Sequence, residues 1–178
     1  MAVGNYYIID DIKHARVSYV ISELTLPKEF LGTAARDLGT QMHADIERYL
    51  CGEIDRPFEL KSQFVAFMET HIKFPWKFHA AEKLVFDTAA RIAGTVDALF
   101  IHEITNQFMI VDWKRTKCLY PDSMVQYQLQ LNLYRHILGL TKVDMIGLVV
   151  LHPENREFHF VNVPFIDLSV YMDAARFL

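Results

Sequence analysis

Two carboxylates and a lysine interrupt apolar runs in this chain. They are Asp97, at the end of Ala93-Gly94-Thr95-Val96-Asp97, and Asp112 and Lys114, in Ile110-Val111-Asp112-Trp113-Lys114. Burying charge is costly unless the charge is paired or coordinates a metal. Two acids with a lysine beside them therefore point to a divalent-cation site. That combination is also what phosphodiester hydrolysis requires: a cation to acidify water and an ammonium to meet developing negative charge.

The elements that must hold these groups can be read from the pattern around them. Residues 91–102 and 107–113 read as strands joined by Glu103-Ile104-Thr105-Asn106, short enough for a hairpin. A hairpin centred between Ile104 and Thr105 sets Asp97 opposite Asp112. Directly opposed like charges destabilise a sheet, and a cation between them removes that penalty. A slip of one residue would put the two acids on opposite faces. Asp112 and Lys114 share a face in any register, because side chains alternate along a strand. Trp113 then points the other way, into the core. Asp112 would coordinate a hard cation such as Mg²⁺ through oxygen, with the backbone carbonyl of Trp113 as a further ligand.

Other candidates lie on helices. His43 and Glu47 are four apart and share a face on a helix over residues 33–50, where Leu38, Met42, Ile46 and Tyr49 keep helical spacing. Imidazole is a common metal ligand, although one of eight histidines in a suggestive place is weak by itself. Gly39-Thr40 would kink this helix or start its second half, with Thr40 as cap. On a helix opened by Pro121-Asp122 and running to about residue 138, Tyr127, Gln130 and Tyr134 share a face. They suit contacts to phosphates, sugars or an unpaired base. Gln126 and Gln128 read as the solvent side of that helix. Glu82, on the strand before the hairpin, reads as a strand-edge carboxylate, with a further acidic group of the site as the alternative.

Composition bounds the rest. The chain has 178 residues, 52% hydrophobic and 22% charged, which fits one globular domain spanning residues 1–178. No apolar run reaches a membrane span, and the N-terminus shows no secretion signal, so a cytoplasmic protein without membrane contact is expected. Cys51 and Cys118 are too few and too far apart for a zinc or iron–sulfur site. Gly-rich phosphate loops, HExxH and GxSxG are absent. Net charge is −4, yet residues 113–142 carry Lys114, Arg115, Lys117, Arg135 and Lys142 against Asp122 alone. Arg115 and Lys117 therefore stand as candidate contacts to a phosphate backbone.

Further strands are expected near residues 78–87, 144–151 and 157–163, a helix over 58–73, and a helical C-terminus from Ile166. Residues 6–24 read as a short strand and a turn of helix. The order predicts an α/β fold around a mixed sheet.

Four segments in order resemble the motifs of the RecB-like branch of the PD-(D/E)XK nuclease superfamily. They are Gly39-Thr40-Gln41-Met42-His43-Ala44-Asp45-Ile46-Glu47, Gly94-Thr95-Val96-Asp97, Asp112-Trp113-Lys114 and Gln130-Leu131-Asn132-Leu133-Tyr134. Arg16-Val17-Ser18-Tyr19-Val20-Ile21 is similar to a short segment that opens many small members. The resemblance covers roughly residues 16–138. It implies a restriction-endonuclease-like core, with a central mixed β-sheet flanked by helices. It implies that His43, Asp97 and Asp112 bind Mg²⁺ or Mn²⁺, that Lys114 is catalytic, and that Gln130 and Tyr134 shape the site and hold DNA. It also implies a DNA nuclease of recombination, repair or replication. With no evident base-reading module, an exonuclease is expected rather than a sequence-specific endonuclease, and the chain departs from the iron–sulfur members by lacking their cysteines, so no cluster is expected. Single- or double-stranded DNA would be the partner, with a helicase or recombination protein supplying any unwinding. Two rival readings are a catalytically silent module that binds DNA or protein, and an unrelated hydrolase of small phosphoesters.

Overall fold

The computed structural model describes residues 1–25, 33–139, 143–169 and 171–172. Eight strands form one mixed sheet, flanked by helices. The chain begins with a meander of β1 (Ala2–Val3), β2 (Tyr6–Ile9) and β3 (Ile12–Arg16), then α1 (Val17–Leu24), α2 (Thr33–Leu50) and α3 (Lys61–His71). Next come β4 (Trp76–Asp87), β5 (Ile92–His102) and β6 (Phe108–Arg115). Helix α4 (Pro121–Ile137) crosses to β7 (Val143–Leu151), and β8 (Phe158–Asn162) follows. Among the described residues no helix is long and apolar enough to cross a membrane.

Alternation along the strands divides the interior into two cores, one on each face of the sheet. On β6, Met109, Val111 and Trp113 pack with Met42 and Ile46 of α2 and Phe64 and Phe67 of α3. Ile110 faces the other way, toward Val17, Val20 and Ile21 of α1 and Leu129 and Leu133 of α4. On β7, Ile146, Leu148 and Val150 join the α1–α4 core, while Val149 and Leu151 join the α2–α3 core. Asp112 thus occupies a position on the α4 side, and Trp113, 1% exposed, lies on the α2–α3 side between the rings of Phe64 and Phe67.

The hairpin has the register its sequence predicts. Ala98 pairs with Val111 and Ile101 with Phe108, so the next step sets Asp97 opposite Asp112. Strand β4 runs along one edge of β5 for nearly its whole length. The other edge is divided: β3 pairs in parallel at Ile92 and Ala93, and β6 pairs antiparallel from Ala98 to Ile101. Between them, at residues 94–97, β5 has no ladder partner on that side. This fork is where Asp97 sits.

Several expectations need correction. The N-terminal meander has three strands rather than one, and it extends the sheet through β3. Helix α2 is unbroken over Thr33–Leu50; the Thr40 hydroxyl donates back to the Arg36 carbonyl at 3.1 Å and caps nothing. Gln126 is buried, and its amide donates to Thr25 Oγ1 at 2.9 Å, tying α4 to the end of α1. Gln128 is partly buried, and its amide lies 3.4 Å from the Pro164 carbonyl. Ile166–Leu168 are not helical, Ser169, Tyr171 and Met172 are, and the rest of the expected C-terminal helix lies outside the described residues, as does Lys142.

Gly94 shows how closely α4 packs on β5. A Cβ there would lie 2.5 Å from Tyr134 Cε1 and 3.2 Å from Val17 Cγ2. Tyr134 is 5% exposed and has little room to retreat. Gly94→Ala is expected to destabilise the fold by about 1–3 kcal/mol through overpacking. In a Tyr134→Ala background the same change should cost less than about 0.5 kcal/mol, the signature of a shared contact. Urea midpoints of the four proteins in this cycle measure both values.

Candidate active site

Five ionisable side chains meet at the fork. Asp97 comes from β5 and Glu82 from β4, where Glu82 falls opposite Asp97 between the pairs Ala81–Ala98 and Lys83–Val96. Asp112 comes from β6 on the other side. Three adjacent strands thus present three carboxylates in a row. Glu82 adopts a φ of 44°, a left-handed conformation that a side-chain-bearing residue takes at a cost of roughly 1–3 kcal/mol.

Two cations hold the row together. His43 reaches over from α2, with Nδ1 3.4 Å from Asp97 Oδ2 and 3.7 Å from Glu82 Oε1. Its Nε2 donates to the Trp113 carbonyl at 3.1 Å. Lys114 Nζ lies 2.6 Å from Asp112 Oδ2. The Asp97 carboxylate also accepts the Trp113 backbone N–H at 2.8 Å, taking the place of a ladder bond where the strands separate.

Helix α4 closes the site from the other face. The Gln130 amide donates to Asp112 Oδ1 at 3.1 Å and to the Tyr134 hydroxyl at 3.3 Å. Tyr127 turns its ring to Lys114, whose ammonium lies 4.9 Å from the centroid. The helical spacing of these three residues thus places all of them on the acidic cluster.

Burial and neighbouring charge shift the groups in opposing senses. Burial works against charge on His43, but the Asp97 carboxylate outweighs it, with help from Glu82 and Asp112, and its pKa is pushed up to about 10. Burial would raise Asp97, yet the His43 imidazolium, Lys114 and the Trp113 N–H hold it below the usual carboxylate range. Asp112 goes the other way. Burial, reinforced by Asp97, exceeds the pull of Lys114 and pushes it up to about 6. Burial disfavours the charge on Lys114, but Asp112 and Asp97 keep its pKa above the ordinary lysine value. Tyr134 is also raised, first by burial and then by Asp97.

Among the described residues, His43, Glu82 and Asp97 form a group whose ligand atoms lie within 4.8 Å of one another. One imidazole and two carboxylates suit a divalent cation. The Nε2–H bond to the Trp113 carbonyl leaves Nδ1, on the side of the acids, as the ligating atom once the ring is neutral.

A family model described as the PD-(D/E)XK nuclease superfamily matches residues 59–163. The chain belongs to that superfamily. PD-(D/E)XK nucleases use divalent metals, in keeping with the donor set just described. The match includes Glu82, Asp97, Asp112, Lys114, Gln130 and Tyr134, and begins after His43. No curated protein matches the chain. Among solved structures, one described as "Crystal structure of SSO0001" is similar at 14% identity and a TM-score of 0.48, over 80% of this chain and 59% of that one.

The sequence-derived candidates divide into two sets. His43, Asp97, Asp112, Lys114, Gln130, Tyr134 and Tyr127 are brought together. Asp112 is engaged by Lys114 and Gln130, and the Trp113 carbonyl by His43, whereas the tight group of possible ligands includes Glu82. That residue is no mere strand-edge carboxylate. The signal for it was the antiparallel pairing of β4 with β5, which sets Glu82 against Asp97. Arg115 and Lys117 stand apart. Arg115 makes a bidentate pair with Glu59 at 2.7 and 3.2 Å, and Lys117 pairs with Glu154. Two of the cations counted along residues 113–142 are thus matched in space by acids from distant segments.

Loading the site with a divalent ion requires His43 to lose its proton, because a ligand must offer a lone pair. His43 is protonated below about pH 10 in the metal-free chain, so affinity should rise with pH up to that point and fall as the solution is acidified. Binding of Mn²⁺ near pH 7 is expected to release about one proton per ion. Calorimetry in two buffers of different ionisation heat measures that release, and Asp97→Asn should remove the binding. Proton release unchanged in His43→Gln would show that His43 is not the group displaced.

Proposed function

We propose that the chain is a divalent-metal-dependent DNA nuclease of the RecB-like type, an exonuclease acting in DNA recombination, repair or replication. The observation that carries the reading is the joining of two arrangements at one fork: the His43–Glu82–Asp97 ligand group and the Asp112–Lys114 pair. Membership of the superfamily supports nuclease chemistry. The DNA substrate, the exonuclease mode and the branch rest on the motif pattern of the sequence.

In this reading His43, Asp97 and Asp112, with the Trp113 carbonyl, would hold Mg²⁺ or Mn²⁺, and Glu82 stands close enough to His43 and Asp97 to join them. The cation supplies Lewis acidity, drawing charge from a phosphate oxygen and lowering the pKa of water. Lys114 stands beside Asp112, whose carboxylate with that of Asp97 favours the charged ammonium against burial, and it offers a positive charge and hydrogen-bond donor toward the attacked phosphate. Gln130 fixes Asp112, and Tyr134 fixes Gln130. Tyr127 screens one side of the Lys114 ammonium. Arg115 and Lys117 lie farther along the same strand and its extension, where an exchange of carboxylate for phosphate would bring DNA contacts. The site is read as cytoplasmic, working on DNA ends that a helicase or recombination partner exposes.

End-labelled single- and double-stranded DNA incubated with the protein and Mg²⁺ or Mn²⁺ tests the reading. Degradation is expected to stop with EDTA and to fall about 10²–10³-fold in Lys114→Ala, the scale for losing one charge-stabilising donor. Products that shorten from one end support an exonuclease, and internal fragments an endonuclease. DNA retained in a binding assay but never cut would make the protein a silent binding module instead.

A further inference from the structure

The edge of β5 that β6 leaves at Ala98 is taken up again by β3, and a second cation waits there. Tyr7 and His14 are directly paired across β2 and β3, and Arg16 follows two residues on, on the same face as His14. The Arg16 guanidinium lies over the Tyr7 ring, 5.0 Å from its centroid. The Tyr7 hydroxyl in turn lies 3.2 Å from Thr95 Oγ1, and Thr95 precedes Asp97 by two residues on β5. The next residue, Val17, meets Gly94 together with Tyr134, whose hydroxyl is bonded to the Gln130 that holds Asp112. Two short routes thus lead from Arg16 to β5, the strand that carries Asp97.

Arg16 is unlike the cations on the other flank. Arg115, Lys117 and Lys114 each have a carboxylate partner. Among the described residues no carboxylate lies within ion-pair distance of Arg16, and its Nε is buried without a hydrogen-bond partner. A guanidinium stays charged at any working pH, and a partly desolvated one without an anion is incompletely satisfied. Stacking on Tyr7 holds it in place before any ligand arrives. Its fork of donors matches a phosphate.

We propose that Arg16, ordered by Tyr7, binds a backbone phosphate of the nucleic-acid strand on the β3 side of the acidic cluster, opposite the flank formed by Lys114 and Tyr127. The strand would then cross the sheet from β6 over Asp97 to β3, with Arg16 as a substrate-binding residue and Tyr7 as the residue that positions it. The inference rests on the nuclease reading and adds the course of the substrate.

The test measures binding of a short labelled single-stranded DNA in Mg²⁺, in a Lys114→Ala background to prevent cutting, across a series of salt concentrations. Arg16→Gln is expected to bind about tenfold more weakly, as for loss of one charged hydrogen-bonded contact. The slope of log affinity against log salt should become shallower by about 0.7, the increment for one phosphate on a single strand. Arg16→Lys, which keeps the charge, should restore the slope. With Lys114 intact, Arg16→Gln should raise KM and leave kcat nearly unchanged, as for a contact made equally in ground and transition states. Arg16→Met, which keeps the apolar stem, replaces Arg16→Gln if that variant does not fold. An unchanged slope and affinity in a folded variant, with the parent still cutting DNA, overturns this inference alone. A parent that neither binds nor cuts overturns the nuclease reading with it.

Discussion

Like charge gathered at one point of a sheet is the constraint on which the rest of this structure depends. Three carboxylates on neighbouring strands would push those strands apart if left alone. His43 and Lys114 hold them, and each arrives with a second attachment: His43 to the Trp113 carbonyl, Lys114 to the face of Tyr127. Five charged groups in so small a volume leave one negative charge over when all are ionised. With His43 neutral, as metal loading requires, the surplus becomes two, which suits a divalent cation better than it serves the stability of the fold.

The two cores make the arrangement possible. Phe64, Phe67 and Trp113 fix the sheet against α2 and α3, so that His43 projects over its edge. Leu129 and Leu133 fix α4 on the opposite face, so that Gln130 and Tyr134 come at the same strands from behind. Gly94 allows the closest approach, because the ring of Tyr134 occupies the space a side chain would need. The chemistry therefore sits between layers, with each layer supplying groups the other cannot reach.

Much of this was legible in the residues. The length of the turn at Ile104 and Thr105 fixed the register, and the register placed Asp97 against Asp112. Helical spacing put Tyr127, Gln130 and Tyr134 on one face, and alternation sent Trp113 inward. What escaped was long-range. Glu82 looks like any exposed carboxylate until β4 is paired with β5, and nothing local states that pairing. The three short N-terminal strands carry too few residues for a clear periodicity, and β3 becomes part of the sheet only through a parallel contact with distant Ile92 and Ala93. The basic segment misled for the same reason: Glu59 and Glu154, far off in sequence, answer Arg115 and Lys117.

The fork in β5 also bears on when this protein can become active. Its charged groups are contributed by positions running from His43 to Lys114, with Gln130 and Tyr134 added by α4, and no continuous stretch of peptide contains more than a pair of the charged ones. Strand β4 must lie along β5, β6 must turn back, and α4 must be made and docked before the set exists. A nascent or partly unfolded chain therefore carries the ingredients without the centre. The assembled centre exists only once these elements have come together.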